Sequence, residues 1–242
     1  HLSKLTPEFG HIIIDECHRA AASTWSGTLQ DFSAKYYTGL TATPFRRDGL
    51  GHAIFASIGP KVHTINKKML YDTKAILRPD VYIIKSSFYY MFKDDYSTMI
   101  KELTEDTDRN NLICKEIARD LKVYKESIIV VSDRKKHCET MRKTLEKRHG
   151  IKGRVLTGAN NKKDRTETIR QLKSGESKVI FATLSLIGEG FDAPNLTALF
   201  ITTPIKFSGR LIQACGRVLR AKKGKTPRIY DVRDEDVQLL LY

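Results

Sequence analysis

Short runs of apolar residues, rich in branched side chains, recur along the chain and are separated by stretches with apolar residues at helical spacing. The runs are apolar throughout and lack the alternation of polar positions that marks half-exposed strands. This is typical of strands that are covered on both faces. The pattern predicts buried strands at residues 11–14, 37–40, 81–84, 128–131, 154–156, 179–182, 197–202 and 228–232.

The stretches between these strands predict helices. Asp108, Asp133 and Ser208 are candidate N-terminal caps, because their side chains can accept hydrogen bonds from the free N–H groups of a first helical turn. Gly150 is a candidate C-terminal stop, and a further helix is expected over Lys162–Lys173. Strands that alternate with helices predict an α/β fold, with a parallel sheet and flanking helices.

The composition is that of a folded protein with a sizeable core. Of the 242 residues, 40% are hydrophobic and 29% are charged, and no apolar run approaches the roughly 18 residues that a membrane span needs. The four cysteines are scattered and form no C-x-x-C pair, which argues against a zinc site and fits a reducing compartment. We therefore expect a soluble, cytoplasmic protein without a membrane partner, in the nucleoid or, in a eukaryote, in the nucleus.

The chain carries a formal net charge of +14. The excess is uneven: residues 1–100 hold 12 basic and 9 acidic residues, whereas residues 101–242 hold 30 and 19. A basic second half suits a polyanion such as nucleic acid, because neutralising phosphates releases their condensed counterions. A solvated surface that only aids solubility is the alternative that charge alone leaves open.

Two carboxylates, Asp15 and Glu16, follow the first predicted strand directly, and His18 comes two residues later. Ligands of α/β sheets bind beyond the carboxyl ends of the strands. There, one carboxylate can hold Mg²⁺ on a nucleotide while its neighbour polarises an attacking water. Thr41 and Thr43 follow the next strand, and their hydroxyls could reach the acidic pair. Turns are also rich in Asp, and threonines before a proline commonly just end a strand.

Near the end of the chain, the segment Gln213–Arg220 carries two arginines three residues apart, Arg217 and Arg220. On a helix both would face the same way, and two guanidinium groups presented together suit a transferring phosphoryl group. A basic helix face that pairs with surface acids is the alternative for this segment taken alone.

Four segments follow predicted strands in a fixed order: Asp15–His18, Thr41–Thr43, Ala182–Pro194 and Gln213–Arg220. With this order the sequence resembles the superfamily 2 helicases and translocases, whose motifs II, III, V and VI these segments match, with Ile128–Asp133 as motif IV. The segments Asp-Glu-Cys-His-Arg and Gly-Leu-Thr-Ala-Thr-Pro are most similar to those of the xeroderma pigmentosum group B-type repair helicases. Phage recombination helicases and the motor subunits of restriction enzymes are also similar.

The resemblance implies a nucleotide site in the first domain, with ATP and Mg²⁺ as cofactors. By this resemblance Asp15 would order Mg²⁺ and Glu16 would activate water. His18, Thr41 and Thr43 would couple the nucleotide to domain motion.

The resemblance also implies two groups of residues in the second domain. The first group would act on the nucleotide and consists of Gly190, Asp192, Gln213, Arg217 and Arg220, of which the two arginines would be arginine fingers. The second group would contact the nucleic-acid backbone and consists of Ser132, Thr157, Gly158 and Thr183.

The sequence lacks a phosphate-binding loop of the form G-x-x-x-x-G-K-[ST], which this chemistry requires. Gly224-Lys225-Thr226 has neither a preceding strand nor a Gly five residues earlier, so we do not assign it that role. We therefore expect a partial first RecA-like domain over residues 1–70, a connector over 71–107 and a complete second RecA-like domain over 108–242. The N-terminal part of the first domain would be a missing partner, and this chain alone should hydrolyse little or no ATP.

The expected function is that of an ATP-dependent DNA helicase or translocase in DNA repair, recombination or restriction, of which this chain is a C-terminal fragment. Two alternatives stay open. Asp-Glu-Cys-His also occurs in double-stranded-RNA sensors, so the substrate could be RNA. In this truncated form, the chain could also be a non-catalytic nucleic-acid-binding module.

Overall fold

Two units make up the chain in the computed structural model, His1–Asn66 and Lys67–Tyr242. Within them the structure describes residues 9–19, 27–29, 31–42, 51–91, 95–187, 195–205, 211, 214–216, 218–220 and 224–240. None of the helices in these ranges is long and apolar enough to cross a membrane.

The first unit contains a pair of parallel strands, β1 (His11–Ile14) and β2 (Tyr36–Gly39), followed by helix α1 (Gly51–Ile58). Ile14, Cys17 and Ile54 form its buried core. Both predicted strands are confirmed, β2 with bounds shifted by one residue. Helix α1 was not predicted, and Ile54 is its buried residue.

The second unit alternates strands and helices along its whole length. Its elements are α2 (Lys67–Asp72), β3 (Asp80–Lys85), α3 (Tyr96–Glu105), α4 (Thr107–Tyr124), β4 (Ser127–Ser132), α5 (Lys135–His149), β5 (Gly153–Leu156), α6 (Lys162–Ser174), β6 (Val179–Thr183), α7 (Leu184–Ile187), β7 (Leu196–Ile201) and β8 (Arg228–Arg233). Residues 214–216 and 218 are also helical, and a short 3₁₀ turn lies at Gln238–Leu240; the first unit has a similar turn at Cys17–Arg19.

The six strands of the second unit form one parallel sheet in the order β3-β8-β7-β4-β6-β5. Strands β4, β6 and β7 are buried at every position, because the sheet is covered on both faces. Along β4, Ile128 and Val130 pack in the cluster formed with α4 and α5, whereas Ile129 and Val131 pack in the cluster formed with α6. This confirms the parallel α/β fold and explains why the strands show no polar alternation.

Helix α4 begins two residues earlier than predicted. Its cap is Asp106, whose carboxylate accepts the Arg109 N–H at 2.7 Å, and Asp108 lies inside the first turn. Asp106 also ends α3, and its own N–H donates to Glu102 O at 2.9 Å. The two helices therefore share one capping residue, which was not predicted from the sequence.

The other predicted helix ends have mixed outcomes. Helix α5 starts after Arg134 rather than Asp133, without a side-chain cap. The Asp133 N–H donates to Thr203 Oγ1 at 3.0 Å. The stop at Gly150 is confirmed, with a left-handed φ of +67° that suits glycine. Helix α6 extends to Ser174, and Ser208 lies outside the described residues.

Residues 80–105 lie in the second unit, which differs from the predicted connector over 71–107. Strand β3 pairs with β8 in register from Asp80 to Lys85. Helix α3 contributes Met99 and Leu103 to a buried cluster with Phe88 from the predicted aromatic patch. The difference arises because β3 is an edge strand with Val81 and Ile83 exposed, so its sequence gives little sign of the neighbour that completes its pairing.

Strand β8 is joined to helix α4 by a buried ion pair at each of its ends. Arg228 donates to Asp120 at 2.7 and 3.2 Å, and Arg109 donates to Asp234 at 2.7 and 3.0 Å. All four side chains are at most 1% exposed. Each element carries one cation and one anion of the two pairs, so the pairs fix α4 antiparallel to β8.

Arg228 has further partners at the amino end of the sheet. Its Nη1 donates to Glu126 at 2.9 Å, and its guanidinium lies 3.7 Å from the centre of the Tyr124 ring. Tyr230 donates its hydroxyl to the Asp120 carboxylate at 2.6 Å. These contacts compensate the desolvation of a charge that is fully buried.

We predict that Arg228→Met lowers the free energy of unfolding by about 3–5 kcal/mol, because it leaves the buried Asp120 carboxylate without its cation. Urea unfolding of the 242-residue chain, followed by circular dichroism, measures the change. Arg170→Met is a matched control, since Arg170 also holds two carboxylates, Glu167 and Glu176, but on the exposed surface. If the control lowers the free energy of unfolding as much as Arg228→Met does, the inference that burial makes the Arg228 ion pair important is contradicted.

Candidate functional site

The acidic turn follows strand β1 directly. Asp15 is exposed and accepts the Glu16 N–H at 2.8 Å. Glu16 has a left-handed φ of +50°, which costs a residue with a side chain about 1–2 kcal/mol relative to its ordinary conformations. The backbone thus places two carboxylates side by side at the carboxyl end of a parallel strand, as the sequence predicted.

His18 connects this turn to the end of strand β2. Its Nδ1 lies 3.0 Å from Thr41 Oγ1 and 3.2 Å from Glu16 Oε2. A carboxylate can only accept a hydrogen bond, so its proximity favours a proton on Nδ1. The structure therefore brings together three of the predicted site residues, Glu16, His18 and Thr41.

Tight packing holds the two strand ends in place. The Cys17 N–H donates to Leu40 O at 3.0 Å, and the Leu40 N–H donates to Ile14 O at 2.9 Å. A Cβ added to Gly39 would lie 2.9 Å from Cys17 Sγ, which is closer than real Cβ atoms approach. Glycine at this position is what allows the acidic turn to lie against β2.

The acidic turn is suited to a hydrated Mg²⁺ ion. Mg²⁺ is usually held by one or two carboxylates, keeps several waters and takes its other ligands from phosphates. The exposed Asp15 carboxylate provides one such ligand at the end of a strand, and the half-buried Glu16 lies next to it. The donor set therefore fits a metal that is bound together with a nucleotide.

Several predicted site residues lie outside the described residues: the coupling residue Thr43 and the nucleotide residues Gly190, Asp192, Gln213 and Arg217. Arg220 is described and exposed, in an antiparallel bridge with Ile76. Lys225 is 8% exposed, and its Nζ donates to Arg220 O at 3.2 Å. The lysine of Gly224-Lys225-Thr226 is thus engaged with the backbone, in agreement with its rejection as a phosphate-binding loop.

The predicted nucleic-acid residues lie side by side at the carboxyl edge of the sheet. Ser132 ends β4 and is in register with Thr183 at the end of β6. Thr157 follows β5, whose last residue, Leu156, is in register with Ala182, and Gly158 comes next. Ser132, Thr157 and Thr183 come from distant segments of the sequence, and the structure places them next to one another along the carboxyl edge of the sheet.

The hydroxyls of this row are bonded within the protein. Thr157 Oγ1 donates to Asn160 Oδ1 at 3.2 Å and accepts the Ala159 N–H at 3.3 Å. Thr183 Oγ1 accepts from Ser185 Oγ at 3.3 Å. Ser132 Oγ lies 2.9 Å from His137 Nδ1.

His137 and Asn110 were not predicted as part of the site. His137 Nε2 lies 2.8 Å from Asn110 Oδ1, and Asn110 Nδ2 donates to Thr104 O at 3.0 Å. One sequence signal was available: His137 occupies a position in the apolar stripe of α5, four residues before Met141 and eight before Leu145. A polar side chain in such a stripe needs partners, because a buried polar group without hydrogen bonds is costly.

His137 is held in its neutral form. Burial, together with the positive charge of Arg109, lowers the pKa of His137 to about 3. Arg109 itself is neutralised by Asp234, which also accepts from the buried Ser86 hydroxyl. The carboxyl edge of the sheet thus contains a connected polar network beneath the predicted nucleic-acid residues.

Two family models match the chain. The model described as "Helicase conserved C-terminal domain" matches residues 108–222, and the model described as "Type III restriction enzyme, res subunit" matches residues 1–46. The matched ranges contain the acidic turn, the residues Ser132, Thr157 and Thr183 at the carboxyl edge of the sheet, and the segment with Arg220.

Individual proteins are similar over nearly the whole chain. A putative ATP-dependent RNA helicase of Acanthamoeba polyphaga mimivirus is 25% identical over 95% of this chain and 44% of its own length. A DNA 3′-5′ translocase of Sulfurisphaera tokodaii is 24% identical over 90% of this chain and 57% of its own length. The chain thus spans about half the length of these relatives.

A solved structure shows the same fold. It is a fragment of a putative HsdR subunit of a type I restriction enzyme from Vibrio vulnificus, with a TM-score of 0.73 and 21% identity. The match covers 96% of this chain and 45% of that chain. Other structural neighbours are RecA-like helicase domains, which confirms the expected fold class.

We predict that the free energy of unfolding is smaller at mildly acidic pH than at neutral pH because of His137. Its pKa is lower in the folded protein than the ordinary value of 6.5, so between pH 6.5 and pH 3 the unfolded chain binds more protons. The neutral, buried His137 contributes fully to the free energy of unfolding above pH 6.5. Below pH 6.5 this contribution falls by at most about 1.4 kcal/mol per pH unit. Urea unfolding at pH 7 and pH 5 should show a smaller pH effect for His137→Asn than for the wild type. An equal pH effect in both proteins would contradict a buried neutral His137.

Proposed function

Because this chain belongs to the superfamily 2 helicases, we propose that it is part of an ATP-driven motor that unwinds nucleic acid or moves along it. The observation that carries the proposal is the position of His18, within 3.2 Å of both the Glu16 carboxylate and the Thr41 hydroxyl. This contact joins a candidate hydrolytic carboxylate to the end of the neighbouring strand. A change at the nucleotide can therefore be passed to the backbone beyond β2.

In this proposal the acidic turn acts on Mg²⁺-ATP. Asp15 would bind the metal, which neutralises charge on the phosphates, and Glu16 would orient and polarise the attacking water. His18 is a positioning residue here, since it contacts the Glu16 carboxylate and Thr41. The phosphate-binding loop that this chemistry needs would come from a part of the motor that this sequence does not contain.

The second unit would contribute cations and nucleic-acid contacts. Arg220 and Arg217 would stabilise the charge that develops on the transferring phosphoryl group, with Gln213, Gly190 and Asp192 as further nucleotide contacts. The row of strand ends at Ser132, Thr157 and Thr183 would lie along the nucleic-acid backbone. The basic excess of residues 101–242 supports this assignment.

We propose DNA as the nucleic acid, in repair, recombination or restriction. The DNA translocase among the relatives and the restriction-enzyme model over residues 1–46 support DNA. RNA is the second candidate, favoured by the relative named as an RNA helicase. Strand-displacement assays with the complete motor, on DNA and RNA duplexes of matched sequence, separate the two.

We predict that the 242-residue chain binds nucleic acid but hydrolyses little or no ATP, because its sequence contains no phosphate-binding loop. The measurement is phosphate release with and without single-stranded DNA, beside fluorescence anisotropy with labelled single strands. ATP turnover comparable to that of complete motors would contradict the proposal that the phosphate-binding loop comes from outside this sequence. Absence of any binding at low salt would contradict the role of the second unit.

We predict that Glu16→Gln in the complete motor lowers the ATP turnover rate by about 10²–10⁴-fold, because an amide cannot accept a proton from water. His18→Ala should retain part of the turnover but reduce strand displacement per ATP hydrolysed, because the link to Thr41 is lost.

His11→Ala is the matched control for His18→Ala. The His11 imidazole lies 2.9 Å from Thr38 Oγ1 and joins the same two strands, but away from the acidic turn. We expect His11→Ala to leave both turnover and strand displacement unchanged. Equal losses for the two histidine variants would mean that His18 only stabilises the strand pair.

A further inference from the structure

Ser132 is a predicted nucleic-acid contact, yet its side chain is enclosed by the protein. It is 2% exposed, and its Oγ accepts the Arg134 N–H at 3.1 Å. The same Oγ lies 2.9 Å from His137 Nδ1. Which of these two atoms donates decides what Ser132 can offer to a ligand.

The direction of this hydrogen bond follows from the next residues in the network. Thr104 O can only accept, so the Asn110 amide directs Nδ2 towards it and Oδ1 towards His137. His137 Nε2 must therefore carry a proton to donate to Asn110 Oδ1. Since burial and the charge of Arg109 lower the pKa of His137 to about 3, the ring is neutral and Nδ1 has no proton. The Ser132 hydroxyl consequently donates to Nδ1.

This direction prevents Ser132 from binding a phosphate directly. Phosphate oxygens at neutral pH are acceptors, and the single proton of the Ser132 hydroxyl is already donated to His137. The hydroxyl instead shapes the turn after β4, because it accepts the Arg134 N–H. A second bond, from the Asp133 N–H to Thr203 Oγ1 at 3.0 Å, holds the same turn.

The turn presents three consecutive cations at the carboxyl edge, and the structure describes all of them. Arg134 donates to Ser97 Oγ at 3.4 Å, and Lys136 forms an ion pair with Glu105 at 2.8 Å. Lys135 is exposed and makes no ion pair with the described residues. Its ammonium group is therefore available to a ligand, as are the remaining N–H groups of the exposed Arg134, whereas the Lys136 ammonium is paired with Glu105.

We propose that His137 is a positioning residue for nucleic acid, which acts through Ser132 to hold the turn that presents the Lys135 ammonium to a backbone phosphate. The proposal rests on the proposed nucleic-acid function and deepens it. It replaces the direct contact predicted for Ser132 with an indirect role, and it adds Asn110, His137 and Lys135 to the site.

The test is equilibrium binding of labelled single-stranded DNA to the 242-residue chain over a series of salt concentrations. Lys135→Ala should weaken binding and reduce the slope of log affinity against log salt by about 0.7, the value for one phosphate contact on a single strand. Ser132→Ala should weaken binding by about fivefold, the effect of one hydrogen bond. Lys136→Ala is the matched control and should leave the slope unchanged, because that lysine is held by Glu105.

The double variant Ser132→Ala/Lys135→Ala distinguishes positioning from direct contact. If Ser132 acts only by placing Lys135, the double variant binds as Lys135→Ala does. If Ser132→Ala weakens binding by the same factor with and without Lys135, the inference is overturned. If the wild type does not bind DNA or RNA at all, the proposed function fails instead.

Variants of His137 give an independent readout. His137→Asn keeps an acceptor near the position of Nδ1 and should bind with about the wild-type affinity, whereas His137→Leu should match Ser132→Ala. Should His137→Leu fail to fold, nitrogen NMR of the wild-type imidazole tests the same point. A proton on Nε2 supports the inference, and a proton on Nδ1 overturns it.

Discussion

The two buried ion pairs between helix α4 and strand β8 set the framework of the second unit. Asp120 and Arg109 lie on α4 with opposite charges, and Arg228 and Asp234 flank β8 in the complementary order. A reversed helix would bring like charges together among buried side chains, which is far more costly than the loss of a contact. The pairs therefore specify the orientation of α4, and with it the positions of Asn110 and the α3–α4 junction at the carboxyl edge.

Coverage of the sheet on both faces confines the chemistry to the strand ends. Strand β4 is buried at each of its positions, including Ser132, so only the turn that follows it can contact a ligand. The same holds for β6, so the polar residues of these strands lie in a row at the carboxyl edge. The acidic turn in the first unit follows the same rule, since Asp15 and Glu16 come directly after β1.

Much of this organisation could be predicted from the sequence, because it depends on local patterns. Buried strands such as Val179–Thr183 are continuous apolar runs, and the acidic turn is four consecutive residues. Two of the missed features depend on contacts between distant residues, and a third, the cap of α4, depends on one residue that serves two helices. The cap of α4 was misplaced because Asp106 also ends α3, and β3 was placed in a connector because its partner β8 lies about 150 residues later. The role of His137 depends on Asn110, 27 residues away on another helix.

The position of β8 in the sheet has a consequence for synthesis of the protein. It is the last of the described strands, yet it lies between β3, the first strand of its sheet, and β7. A ribosome releases β3 long before its partner, so the edge of β3 stays without a neighbour while more than a hundred residues are added. The sheet closes only when residues 228–233 emerge, which makes its completion a long-range step.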